Sequence, residues 1–276
     1  MSGDPDVRVG EALDALAEAT PLVNALTNEV TVNEVANCVL HWGGLPVMSD
    51  DEREVADMVA GAQACLLNMG TVSETGEAAM VAAGEAAADH GVPVVVDPVG
   101  VGATPTRDRV AERLVTDLDV AVVKGNYGEV TALAGADSEV RGVESVGEYA
   151  DIAETAMALA ARVDAVVVAS GEVDVVATEA TAHEVHVGDP AMGRVVGTGC
   201  MLGGTLAAFA GSDLDVHRAA LAGTTAFGLA GEAAADGAFG EYHGPASYAV
   251  AFLDAVAGLA KTEPSADGRI ERVVER

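Results

Sequence analysis

Five short apolar runs restrict the fold of this chain more than any other feature. They are ACLLN (64–68), VPVVVD (92–97), VAVVK (120–124), AVVVAS (165–170) and VDVVAT (173–178). Their length and β-branched content read as buried strands. Segments of helical period lie around and between them. Val35, Cys38, Val39 and Trp42 share one helical face. TVSE, from Thr71, has the form of a capping box ahead of a helix over 74–90. Thr104 before Pro105 is an N-cap with proline at the first helical position. Asn126 and Glu129 make a further cap, for a helix through Leu133. Helices are expected over 200–210, 216–236 and 245–260, and the last dozen residues either fray or add an edge strand. Strands alternating with helices imply an α/β fold with a mostly parallel, helix-covered sheet. Neither a long linker nor an internal repeat divides the chain, so residues 1–276 read as one domain.

Charge narrows the partners. Aspartate and glutamate number 44 against 14 lysines and arginines, a formal net charge of −30, and lysine occurs only at Lys124 and Lys261. Such a surface repels nucleic acid and anionic membranes, whose binding depends on Lys and Arg. The acid is dispersed among apolar segments, which argues for a folded protein suited to high salt. There a Debye length of about 3 Å at 1 M screens its self-repulsion. Three cysteines without C-x-x-C spacing fit neither a disulfide framework nor a zinc site. The N-terminus MSGDPDVRVG is polar and acidic, unlike a signal peptide, and no uncharged apolar stretch reaches a membrane span. The expected compartment is the cytoplasm.

In open α/β sheets ligands bind beyond the carboxyl ends of the strands. The residues at the end of each run are therefore informative: Asn68-Met69-Gly70-Thr71, then DPVGVGATP from Asp97, KGNYGE from Lys124 and SGEVD from Ser170. Each sets glycine beside a polar or charged residue, as a nucleotide or phosphate site would. The sequence has neither G-x-x-x-x-G-K-[ST] nor G-x-G-x-x-G, so P-loop and dinucleotide fingerprints are excluded.

A further loop, VVGTGCMLGG (195–204), opens a helix. Glycines there leave backbone N–H groups facing outward, and the helix dipole adds positive charge, which makes an anion hole. In phosphoryl transfer such a hole holds the charge on the phosphate. The residues alone leave two roles for Cys200: taking the proton of an attacking hydroxyl, or a buried structural thiol.

Taken in order, NALTNEVTVNEVAN, GGLPVMSDDEREV, LLNMGT, DPVGVGATPTR, KGNYGEV, SGEVDVV and GTGCML resemble the hydroxyethylthiazole kinase family, from about residue 21 to 211, with HGPASY (243–248) extending the likeness. The resemblance implies a ribokinase-like three-layer fold, with helices on both faces of the central sheet. It implies transfer of the γ-phosphate of ATP to the hydroxyl of 5-(2-hydroxyethyl)-4-methylthiazole, in thiamine salvage. It also implies a magnesium requirement and a homotrimer with active sites between subunits.

The resemblance further implies roles for individual residues. Met48 of PVM matches a thiazole-contacting methionine, and Asn28 of LTN a substrate-pocket asparagine; a core methionine and a turn asparagine are the simpler alternatives. Asp97 and Glu129 match acids near magnesium and the phosphates, although Glu129 also fits its cap with Asn126. Lys124 stands where the family usually has an ATP-contacting arginine, keeping the charge without the bidentate fork. Ser170 replaces an ATP-contacting threonine. Asn126 and Thr198 are further nucleotide-side candidates. Gly197 and Gly199 build the anion hole, Gly197 also matching a substrate contact, and Cys200 takes the place of the superfamily's usual catalytic aspartate.

Cys38 and Cys65 read as core, and the six histidines show no ligand spacing; His183 and His186 fall in a β segment that points them to opposite sides. Two other readings stay open. One is a ribokinase-like kinase of another small alcohol, such as hydroxymethylpyrimidine; the other is a non-catalytic nucleotide-binding sensor.

Overall fold

The computed structural model describes residues 8–135, 152–262 and 264–276. The N-terminal residues 1–7, read above for a signal peptide, lie outside the described residues. Nine strands form one sheet in the order β2-β1-β3-β4-β5-β6-β7-β8-β9. β1 (Leu22–Leu26), β2 (Leu45–Val47), β3 (Ala64–Asn68), β4 (Val94–Asp97), β5 (Val122–Asn126) and β6 (Val166–Ser170) are parallel. β7 (Asp174–Ala177), β8 (Thr181–Val185) and β9 (Ile270–Glu275) extend the sheet antiparallel. All five expected strands are present, and the polar C-terminus is an edge strand. β5 runs two residues past Lys124, so part of KGNYGE is strand rather than loop.

Alternate strand residues feed two cores, as a sheet covered on both faces requires. Val23, Leu66, Val95, Val122 and Val168 pack under α1 (Val9–Ala19), α2 (Val32–His41), α8 (Thr198–Ala210), α9 (Val216–Ala235) and α10 (Pro245–Gly258). Cys65, Leu67, Val94, Val96 and Val123 face α3 (Val55–Ala60), α4 (Glu74–His90), α5 (Pro105–Asp117), α6 (Tyr127–Leu133) and α7 (Ile152–Val163). Few aromatics are available, so small residues let the helices approach closely. A Cβ on Gly204 of α8 would lie 3.1 Å from Val35 of α2.

The caps hold with one correction. Thr104 accepts from the backbone N–H of Arg107 at the start of α5. Asn126 and Glu129 form a full capping box on α6. Thr71 does not cap α4; Ser73 does, accepting from the Gly76 N–H at 3.0 Å. Ser73 stands directly before Glu74, the first helical residue, where a short hydroxyl side chain reaches the third helical N–H. Cys38 and Cys65 are fully buried, and burial pushes both thiols up to about 12, which leaves them inert.

Candidate active site

The parallel strands end together, and their last residues meet under helix α8. Asn68 and Asp97 are register partners at the ends of β3 and β4. Lys124 lies on β5 beside them, and Asp97 and Lys124 are both buried. Lys124 Nζ donates to Asp97 Oδ1 at 3.2 Å, and Asn68 Nδ2 donates to Asp97 Oδ2 at 2.6 Å. Burial pushes the Asp97 carboxyl up to about 6; the negative charge of Glu129 adds to this, while Lys124 and Asn68 oppose it. Burial works against the charge of Lys124, but Asp97, Glu129 and Cys200 outweigh it and hold the ammonium above its ordinary value. The two groups form a buried ion pair.

Helix α8 sits directly on this pair. A Cβ on Gly203 would lie 3.3 Å from Asp97 Oδ2, and one on Gly199 would lie 3.1 Å from Lys124 Nζ. Gly197 caps the helix at φ +92°, and a Cβ there would fall 2.7 Å from Thr31. No other residue type suits that position without strain. The Thr198 hydroxyl donates back to the carbonyls of Met192 and Val195, tying the loop that precedes α8.

Glu129 links two loops. Its Oε1 accepts from the Gly100 N–H at 2.7 Å and its Oε2 from the Asn126 N–H at 2.8 Å. Each oxygen keeps a lone pair, so the cap and a further role are compatible. Asn126 itself is exposed and its side chain accepts from the Glu129 N–H. Ser170 Oγ donates to the Gly125 carbonyl.

Asn28 satisfies both readings of its position. Its Oδ1 accepts from the backbone N–H groups of Val30 and Thr31, which is turn chemistry. Its Nδ2 reaches Cys200 Sγ at 3.4 Å. Cys200 is half-buried, packed against the core under α8 and open on its other side, unlike the fully buried Cys38 and Cys65. Met48 is half-buried past the end of edge strand β2, held near β1 by Asn24, which pairs with Ser49. Of the predicted residues, Asn28, Cys200, Gly199, Lys124, Asp97 and Glu129 form one connected group. Ser170 is the register partner of Asn126, and Met48 packs against the core beyond β2.

Sequence reasoning missed two participants. Asn68, fully buried, bridges Asp97 and Asn28. Arg107 donates to the carbonyls of Met69, Val99 and Gly70, and so clamps the loops after β3 and β4. Its only signal was an arginine inside the motif DPVGVGATPTR.

On the far side of α8's N-terminus opens a cleft of about 780 Å³. Ser170, Thr198 and Gly199 line its inner end, and Val187, Leu202 and Phe227 supply an apolar wall. His186 lines it too and pairs with Glu184 at 3.3 Å, while His183 is buried on β8 beside His217 of α9. His186 thus stands just past the end of β8 rather than within it.

The hydroxyethylthiazole kinase family model matches residues 13–262. The chain belongs to the hydroxyethylthiazole kinase family. It is 64% identical over 269 residues to a hydroxyethylthiazole kinase of Haloquadratum walsbyi, covering 95% of this chain and 92% of that one. The solved structure of a hydroxyethylthiazole kinase protein from Pyrococcus horikoshii OT3 is 32% identical with a TM-score of 0.84, covering 96% of this chain and 98% of that one. A ribokinase-like superfamily protein from Enterococcus faecalis, at 12% identity and a TM-score of 0.66, covers 91% of this chain and 94% of its own. It shares the fold alone. The nine-stranded, mostly parallel sheet flanked by helices is the ribokinase-like architecture that this family's motifs implied.

Proposed function

We propose that this chain is an ATP-dependent kinase of 5-(2-hydroxyethyl)-4-methylthiazole, acting in thiamine salvage. The observation that carries the reading is the meeting of Asn28 and Cys200 with the Lys124–Asp97 pair at the glycine-opened N-terminus of α8. A phosphoryl acceptor and a phosphate-binding centre need that juxtaposition.

The 780 Å³ cleft has the size and apolar wall for a nucleotide base, with Ser170, Thr198 and Gly199 directing the phosphates toward α8. The N–H groups of the first turn of α8, with Lys124, hold the charge on the phosphoryl group in flight. The thiazole ring lies against Met48, and its hydroxyl points between Asn28 and Cys200. Oxygen attacks the γ-phosphorus in line, the bond to ADP breaks, and the hydroxyl proton leaves toward Cys200. Two carboxylates against one ammonium leave the centre short of positive charge, and hard oxygen donors suit a magnesium ion held by Asp97 and Glu129. When bound, that ion neutralises the phosphate oxygens.

The acceptor side is open within one chain. Val30 is 70% exposed and Val196 76%, next to Thr31 and Gly197, which touch each other. Leu40 and Leu45 are exposed on the same α2–β2 side. We place these apolar residues at a subunit boundary of a homotrimer, where a second chain closes the thiazole pocket. No helix among the described residues is long and apolar enough to cross a membrane, and the unpaired cysteines suit a reducing compartment. We assign the enzyme to the cytoplasm of a cell that works at high salt.

The test is ADP release in about 2 M KCl, a salt level at which charges are screened within a few ångströms. Mg-ATP is supplied with hydroxyethylthiazole, with hydroxymethylpyrimidine, or alone. Turnover that requires the thiazole is the expected result. Turnover with the pyrimidine only, or with neither alcohol in a folded protein that binds ATP, would overturn the assignment. Full stability and activity in dilute buffer would remove the high-salt part.

A further inference from the structure

Asn68 ends β3, is fully buried, and carries a side chain that touches both halves of the site. Its amide has an acceptor end and a donor end, and each has a fixed partner. Nδ2 donates to Asp97 Oδ2 at 2.6 Å, the other oxygen of that carboxyl accepting from Lys124. Oδ1 therefore points away, and accepts from Asn28 Nδ2 and from the Gly70 N–H, both at 3.0 Å. Asn28 is fixed in the same way. Its Oδ1 is taken by the N–H groups of Val30 and Thr31, so its Nδ2 must face Asn68, Thr31 Oγ1 at 2.9 Å and Cys200 Sγ at 3.4 Å. Gly70 closes the space behind, since a Cβ there would lie 2.6 Å from Asn28 Nδ2. A continuous line runs from Lys124 through Asp97, Asn68 and Asn28 to Cys200.

We propose that Asn68 is a positioning residue that couples the phosphate centre at Asp97 to the hydroxyl-accepting pair Asn28 and Cys200. It touches neither substrate; it sets the orientation of Asn28 and, through it, the hydrogen bond to the Cys200 sulfur. The inference rests on the kinase reading above. A buried amide with both ends committed cannot rotate without breaking a bond at each end, so Asp97 and Asn28 are aligned together.

The test is a double-mutant cycle of Asn28→Ala and Asn68→Ala, with Asn68→Ser as a second deletion that retains a buried polar atom but cannot span both partners. In Asn68→Ala, kcat falls about tenfold or more, as misplacement of a reacting group does, while KM for Mg-ATP moves less than about twofold. The double variant is no slower than the slower single, because both act on one alignment. The second readout needs no turnover. Cys38 and Cys65 are buried, so iodoacetamide applied to the ligand-free protein reports on Cys200. Its alkylation rate changes about threefold or more, and alike, in Asn28→Ala and Asn68→Ala. Effects of the two singles that multiply, or wild-type alkylation in Asn68→Ala and Asn68→Ser, would overturn the proposal. A wild-type protein without thiazole turnover counts against the substrate instead, and the alkylation series still decides the role of Asn68.

Discussion

Asp97 lies beneath helix α8 and Val196 just ahead of it, and their surroundings are opposite. Asp97 is fully buried, with one oxygen on Lys124 and the other on Asn68. Val196 is 76% exposed and Val30 70%. The proposed phosphate centre is fully paired within one chain, because an unpaired buried charge is costly. In the proposed reading the rim around Val30 and Val196 is the acceptor side, left bare in a single chain for a neighbouring subunit to complete. Under the proposed function the difference corresponds to two jobs: rigid electrostatics where phosphorus is transferred, and an apolar surface closed by assembly where the thiazole is held.

The largest effect should come from breaking the sealed side. Lys124→Ala leaves Asp97 buried without its counter-charge, which costs about 3–5 kcal/mol in a denaturant titration. Turnover falls about 100-fold or more with the loss of charge stabilisation. A change confined to ATP affinity would show that Lys124 is a peripheral contact. Attacking the open side has a smaller and different effect. Val196→Asp should raise the thiazole KM about tenfold, near 1.4 kcal/mol, and shift the protein toward monomer in light scattering, with Mg-ATP binding intact. An unchanged assembly would remove Val196 from the subunit boundary.

The smallest effect lies away from both. Glu77 on α4 accepts from Arg109 and Arg113 on α5, and these guanidinium groups hold its carboxyl down to about 2. Its folded value is below its unfolded value, so the pair stabilises above about pH 4.5 and loses that contribution as pH falls toward 2. Both arginines are substantially exposed, so Glu77→Gln should cost under about 1 kcal/mol at neutral pH, less in high salt. The gap between the two proteins should close on acidification; a constant gap would mean that packing, not charge, is responsible.

Much of this was legible in the chain, and the remainder escaped for physical reasons. The central strands announced themselves because burial on both faces demands unbroken Val and Ala runs. β1 and β2 did not, since LVNAL carries a buried asparagine and LPV is a three-residue edge with a proline. Asn126 and Glu129 could be paired because a capping box is local in sequence. The joining of Asn28 to Cys200, 172 positions apart, came only from a family resemblance, since no spacing encodes it. Asn68 reads only as the last residue of a strand run, but its importance depends on partners 29 and 40 positions away. Arg107 escaped for the same reason: its three acceptors are backbone carbonyls, which no side-chain pattern reveals.

The most direct test of the contrast between sealed and open sides is dilution. Thiazole-dependent ADP release per chain and Mg-ATP binding would be followed together as protein concentration falls through dissociation of the assembly. The account predicts that ATP binding persists in the monomer while thiazole-dependent release collapses. A monomer that binds ATP and phosphorylates the thiazole at the full rate would contradict it.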